Sequence, residues 1–158
     1  MSGFTPDTDL RAYRAALGAF ATGVTVVTAG TATGPVGITA NSFASVSLDP
    51  ALVLWSLAKS SGRFDAFATA PDFAVHVLGQ AQRDTAAGFT RSKDAFAGLD
   101  WIASAQGVPL IAGCLARFEC QTHAVHDAGD HVIMLGRVLL ATHAPGVPLI
   151  FHGGQFSD

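Results

Sequence analysis

Residues 114–142 carry two long strand-like runs, CLARFECQTHAV (114–125) and HVIMLGRVLLAT (131–142), joined by HDAGD (126–130). Asp and Gly between two runs rich in β-branched and apolar residues are the signal of a β-hairpin. The same texture recurs on either side. FAVHVL (73–78) and LVLWSL (52–57) read as buried strands, the latter opened by Asp49-Pro50. Val24 to Thr28 is a β-branched run, Gly30 to Gly34 with Pro35 reads as a turn, and Val36 resumes as strand. Downstream, the turn Ala144-Pro145-Gly146 precedes a last strand, Leu149 to Phe151.

Helices are marginal in this pattern. Leu10, Tyr13, Leu17 and Phe20 recur at helical spacing after Pro6-Asp7-Thr8 and predict an amphipathic first helix. Ser60 and Ser61 are placed to cap a short helix through Arg63, Phe64 and Phe67 that Pro71 stops, and a polar helix follows from about Gln80 to Arg91. Residues 92–113 are Gly-punctuated and match neither period. Six or seven strands in close succession predict a mainly β fold, a closed or nearly closed antiparallel barrel.

With 158 residues, no repeat and no linker, residues 1–158 read as a single domain. Hydrophobic residues make up 49% of the chain and charged residues only 13%, an apolar load that predicts surface buried against a second subunit. The net charge of −3 argues against nucleic acid, which demands a basic stripe. No apolar run approaches the ~20 residues that span a bilayer. The start, Met1 to Asp7, lacks the basic and apolar regions of a secretory leader. Cys114 and Cys120, both placed in strand by the pattern, read as free thiols of a reducing cytosol, so the expected location is cytoplasmic.

Absent motifs narrow the chemistry. There is no G-x-G-x-x-G, no G-x-x-x-x-G-K-[ST], no H-E-x-x-H, no C-x-x-C and no G-x-S-x-G. Three stretches remain. TANSFASVSL (39–48) is crowded with small polar side chains where a strand belongs. That texture suits a planar ligand lying on backbone, and equally an exposed edge strand. SLAKSSGR (56–63) gathers hydroxyls and cations at a strand-to-helix junction, which suits a phosphate or merely a capped helix. HAVHDAGDH (123–131) invites a metal reading, but strand alternation puts His123 and His126 on opposite faces and turn chemistry accounts for Asp127, Gly129 and Asp130. No metal ligand is assigned. His76, His143 and His152 read as half-buried or surface histidines, with a role for His152 kept open because of its neighbours.

Taken in order, several segments resemble the short-chain flavin reductase family, the reductase partners of two-component flavin monooxygenases. They are FATGVTVVT (20–28), VGITANSF (36–43), SVSLDP (45–50), Ser56-Leu57 with Ser60, FAVHVL (73–78), Gly129-Asp130-His131, LGRV (135–138), and PLIF (148–151) with Gly154 and Phe156. The resemblance implies an FMN-binding split β-barrel, Greek-key-like, that forms a homodimer and delivers reduced flavin to a separate monooxygenase. It implies FMN, or FAD in some members, as the flavin and NADH or NADPH as the hydride donor. By similarity Thr39, Ala40, Asn41 and Ser42 line the isoalloxazine and ribityl chain. Ser56, Leu57 and Ala58 meet the ring's polar edge, and Lys59, Ser60 and Ser61 the phosphate. Phe89 and Arg91 approach the cofactor, His131 positions the nicotinamide, and Phe151 and Gly154 sit near the same pocket. Two departures stand out: Asp94-Ala95-Phe96 lacks the basic residue frequent between Asp and Phe, and Phe151 and Phe156 stand where Tyr is common. The competing expectations are a non-catalytic flavin- or haem-binding split barrel and a metal-binding β domain built on the 123–131 hairpin.

Overall fold

A computed structural model describes residues 3–157; Met1 and Ser2, the start of the segment read for a leader, lie outside it, as does Asp158. The chain runs α1 (Leu10–Gly18), β1 (Thr22–Gly23), β2 (Thr25–Thr31), β3 (Gly34–Ala40), β4 (Ala44–Leu48), β5 (Ala51–Ala58), α2 (Phe64–Ala68), β6 (Asp72–Val77), a 3₁₀ turn (Gln80–Gln82) and α3 (Arg83–Arg91). It continues as β7 (Trp101–Ala103), β8 (Pro109–Ile111), β9 (Ala116–Ala128), β10 (His131–His143), β11 (Ile150–His152) and β12 (Gln155–Ser157).

The main sheet has the strand order β3-β2-β6-β9-β10-β5-β4, every neighbouring pair antiparallel. Its two edge strands, β3 and β4, are consecutive in the chain and separated only by Asn41, Ser42 and Phe43. A flat sheet of this width would hold its edges about 29 Å apart at ~4.8 Å per strand. The connector spans at most about 14 Å. The sheet must therefore curl until its edges approach, leaving a split between β3 and β4. Ser42 bridges it: its hydroxyl accepts from Ser56 N at 2.9 Å and donates to Ser56 O at 3.4 Å. The architecture is a split antiparallel barrel, as the resemblance implied.

The barrel is filled by Trp55, Phe67 and Phe73, with edge-on ring contacts at centroid separations of 5.2 and 6.2 Å, and by Leu57, Val75 and Met134. A second apolar cluster joins Val24, Val26, Leu78, Phe89, Phe96 and Leu149 beneath α3. The undecided residues 92–113 contain the small β7–β8 hairpin. It is pinned to the main sheet from below, because Thr28 Oγ1 donates to Pro109 O (2.6 Å) and His76 Nε2 accepts from Ile111 N (3.1 Å).

Several local expectations need correction. The join between the long strands is not five residues but two, Gly129-Asp130, because pairing continues to His131↔Ala128; Gly129 takes the positive φ of +71° that this tight turn requires. Gly30 and Thr31 belong to β2, so the preceding hairpin also turns in two residues. Helix α2 starts only at Phe64, with Arg63 at its cap position and no side-chain cap. Ser61 Oγ instead accepts from Arg63 N at 3.2 Å, in the turn before it. Cys114 precedes β9 and is not in strand, while Cys120 is buried within it; both are free thiols. His76 is neither half-buried nor on the surface, being completely enclosed. Among the described residues no helix is long and apolar enough to cross a membrane.

Candidate functional site

The split places the small-polar stretch on an open cleft. Where β3 ends, Thr25 Oγ1 donates to Ala40 O (2.7 Å) and Thr39 Oγ1 donates to Ala86 O of α3 (2.6 Å). Thr39 thus ties α3 to the sheet. The hydroxyls of Thr39 and Ser42 are committed to these bonds, whereas the side chains of Asn41 and Ser56 make no hydrogen bond among the described residues.

Three recesses meet at Asn41. The largest, about 480 Å³, lies between β3, α3 and the closing strands and is lined by Thr39, Ala40, Asn41, Arg91, Phe151, Gly154 and Phe156, among others. That volume falls within the range of small-molecule sites, about 300–1,000 Å³. A second, about 230 Å³, runs toward the β9–β10 turn past Thr39, Ala40, Asn41, Ser42, Ser56, Ala58 and His131. A third, about 290 Å³, is walled by Arg14, Leu17 and Phe20 and also touches Thr22, Asn41, Phe151 and Gly154. Thr22 Oγ1 is buried there without a hydrogen-bond partner. An orphaned buried hydroxyl of this kind is costly unless a ligand or water satisfies it.

A further hollow, rich in cations, adjoins the main recess. Arg91 also borders an open hollow of about 440 Å³ with Ser61, Gly62, Arg63, Ser92, Lys93 and Asp94. Among the described residues no salt bridge engages Arg63, Arg91 or Lys93. Partial burial lowers the Arg63 guanidinium from its ordinary value. The one carboxylate lining it, Asp94, accepts a hydrogen bond from Ser92, which together with the nearby Lys93 charge holds its carboxyl below the usual range. Lys93 is set in place through its backbone, whose carbonyl accepts from Gly37 N at 2.8 Å. Reading the sequence missed Lys93 because it follows a helix in a segment with no periodicity; a cation two residues after Arg91 was the available signal.

The remaining predicted residues divide clearly. Ten come together on the cleft: Thr39, Ala40, Asn41, Ser42, Ser56, Ala58, Arg91, His131, Phe151 and Gly154. Ser61 joins through the cationic hollow. Leu57 and Phe89 are fully buried, Leu57 in the barrel and Phe89 against Phe96 under α3. Ser60 lies in the exposed turn after β5. Lys59 points its ammonium at Asp127 and at Gly129 O (2.6 Å). In the 123–131 stretch, and throughout the described residues, no group of three His, Cys, Asp or Glu side chains stands close enough to hold a metal ion.

A cleft floored by small side chains, with amide and hydroxyl groups along it and, among the described residues, cations without salt bridges at one end, could hold a flat polar ring carrying a phosphate. Residues 17–158 match the family described as Flavin reductase like domain. The chain belongs to that family. The same membership appears in its relatives. It is 61% identical over 146 residues to FMN reductase (NADH) SmoA of Agrobacterium fabrum, covering 92% of this chain and 84% of that one. It is 48% identical to the reductase component of flavin-dependent trigonelline monooxygenase of Acinetobacter baylyi, across 93% of this chain but 48% of the relative's length. The chain therefore spans about half of some flavin reductase relatives and most of others. Among solved structures it superposes with a TM-score of 0.92 and 41% identity on the NADH:FAD oxidoreductase SgcE6 of Streptomyces globisporus in complex with NAD and FAD fragments, covering 100% of this chain and 96% of that one.

Proposed function

We propose that this chain is an NADH-dependent flavin reductase that passes hydride to FMN, or to FAD, and supplies reduced flavin to a separate flavin-dependent monooxygenase. The carrying observation is the cleft that meets at Asn41, with His131 at one mouth and Arg63, Arg91 and Lys93 at the other. Support comes from relatives named as NADH-dependent FMN reductase and as a monooxygenase reductase component. The nicotinamide and flavin supply the redox chemistry when bound. The chain's part is to hold two rings in register, a positioning task that needs no acid–base dyad.

In this reading Asn41, Ser42, Ser56 and backbone groups of 39–42 and 56–58 meet the ring system, Phe151 and Gly154 close over it, and Ser61, Arg63, Arg91 and Lys93 receive the phosphate. Lys93 takes the part of the basic residue that Ala95 lacks. His131 orients the nicotinamide. The printed name of the relative favours NADH over NADPH. We further read residues 1–158 as one flavin reductase-like domain that works as a homodimer in the cytoplasm. The exposed apolar side chains of α1 and β10 support the dimer, and the two free thiols support a reducing compartment.

The test is anaerobic mixing of catalytic amounts of protein with NADH and FMN. Bleaching of flavin absorbance over many turnovers is expected. Tight flavin retention with no turnover would favour a flavin carrier instead. His131→Ala should raise KM for NADH by roughly tenfold while moving the FMN Kd less than about twofold, the pattern of a residue that positions only the donor.

A further inference from the structure

Lys59 stands one residue beyond β5, and the strand register determines what it meets. Ala58 pairs with His131, so the next residue passes directly beside the Gly129–Asp130 turn. Its backbone N–H donates to Asp130 O at 2.9 Å. Its ammonium donates to Gly129 O at 2.6 Å and forms an ion pair with Asp127. One residue just past β5 thereby holds both residues of the turn and the last charged side chain before it. The turn in turn holds the imidazole: Asp130 Oδ1 lies 2.7 Å from His131 Nδ1. A carboxylate can only accept, so Nδ1 carries the proton in that bond and Nε2 is left as the ring's acceptor. His131 borders the same recess as Asn41, Ser56 and Ala58.

The ammonium has little left to offer a phosphate. It is already engaged by a carboxylate and a carbonyl, and it borders neither the cationic hollow nor the main recess. Among the described residues the three cations that do border the hollow form no salt bridge. The ion pair itself is exposed, with side-chain exposures of 40% and 79%, so it adds at most about 1 kcal/mol to stability. Its consequence is geometric: a two-residue turn free to rock would carry His131 with it.

We propose that Lys59 is a positioning residue for the nicotinamide side of the site, clamping the Gly129–Asp130 turn so that Asp130 presents His131 to the cleft, and that it is not a phosphate ligand. The assignment rests on the reductase reading above. It is tested in the full-length chain with Lys59→Met, which keeps the apolar stem and removes charge and donors, and with Asp130→Asn as a second variant. The probes are FMN and riboflavin, which differ only in the phosphate, together with NADH kinetics and ¹⁵N spectra of the histidine rings under mildly alkaline conditions.

Both variants should raise KM for NADH by roughly five- to tenfold with kcat changed less than about twofold, and leave the ratio of FMN to riboflavin affinity unchanged. Lys59→Met should add less than about twofold to the defect of His131→Ala, because the two act through one group. In the ring spectra the wild-type His131 should be protonated at Nδ1, and Lys59→Met should shift population toward the Nε2–H tautomer. Selective loss of FMN over riboflavin in Lys59→Met would overturn the assignment in favour of phosphate binding. So would full additivity with His131→Ala, or unchanged tautomer populations. Absence of any NADH turnover by the wild type would instead sink the reductase reading, and the tautomer spectra would still decide the clamp.

Discussion

His76 is buried on every side, with Nδ1–H donating to Val26 O at 3.0 Å and Nε2 accepting from Ile111 N at 3.1 Å. Both ring nitrogens are used in the neutral form, and a second proton would face the Ile111 N–H. Burial, opposed by the Val26 bond and reinforced by Arg117, pushes its pKa down to about 4. The unfolded chain takes up this proton near pH 6.5. Between those values the unfolded state binds more protons than the folded one, so stability falls as pH drops through that window and is fully present above it. The span corresponds to about 3 kcal/mol of unfolding free energy. Urea midpoints should therefore decline from pH 7.5 to pH 4.5, and His76→Gln should flatten the decline while lowering the midpoint at neutral pH. A wild-type midpoint constant across the range would contradict this account. Cys120 is the opposite kind of buried group: burial, helped by Glu119, raises its thiol to about 12, so it should resist alkylation in the native protein.

Helix α3 carries Arg91 and leads into Lys93, and three contacts fix it to β3. Thr39 Oγ1 donates to Ala86 O, Gly37 N donates to Lys93 O, and the Phe89 ring lies over Gly37. The last contact explains the glycine: a Cβ there would sit 2.4 and 2.6 Å from Phe89 ring carbons. Gly37→Ala should cost about 1–3 kcal/mol through overpacking, measured by denaturant titration. It should also weaken FMN more than riboflavin, since displacing α3 moves the cations and not the small-residue floor. Thr39→Val keeps shape but leaves the Ala86 carbonyl without that donor. A loss of about 1 kcal/mol in stability is expected, again with the larger binding defect on the phosphate-bearing flavin. Equal losses for both flavins would place the phosphate elsewhere.

Across the molecule, exposed apolar side chains recur on the first helix and on strands of the main sheet. On α1 no residue is buried, Leu10 and Leu17 are 56% and 58% exposed, and Phe20 just after it is 78% exposed. Leu139 and Leu140 are exposed on β10, and Leu48 on the edge strand β4. Apolar side chains left this exposed favour burial against another surface. Leu17 and Phe20 also wall the recess that contains the orphaned Thr22 hydroxyl, so a second copy seated on α1 would complete the cleft. Sedimentation should give twice the 16.2 kDa chain mass. The double variant Leu17→Glu with Phe20→Glu should sediment as monomer and bind flavin more weakly. A wild-type monomer with intact flavin affinity would remove the dimer from the account.

Periodicity and turn residues along the chain were enough to establish a mainly antiparallel β fold, the long β9–β10 hairpin and the apolar excess, because alternation and turn conformations are local physical requirements. The family resemblance, and not any local pattern, pointed to most of the residues that line the cleft, among them Thr39 to Ser42, Ser56 and Ala58. Other features depend on contacts between residues far apart in sequence. His76 looks like any strand histidine until the β7–β8 hairpin packs under it and supplies the Ile111 N–H. Lys93 reaches the hollow beside Arg91 only when Gly37 holds its carbonyl, and Lys59 meets Asp127 and the Gly129–Asp130 turn only because β5 runs beside that turn. Strand pairing and the packing of α3 and the β7–β8 hairpin against the sheet create these partnerships, and no local pattern encodes which distant group will fill a hydrogen bond.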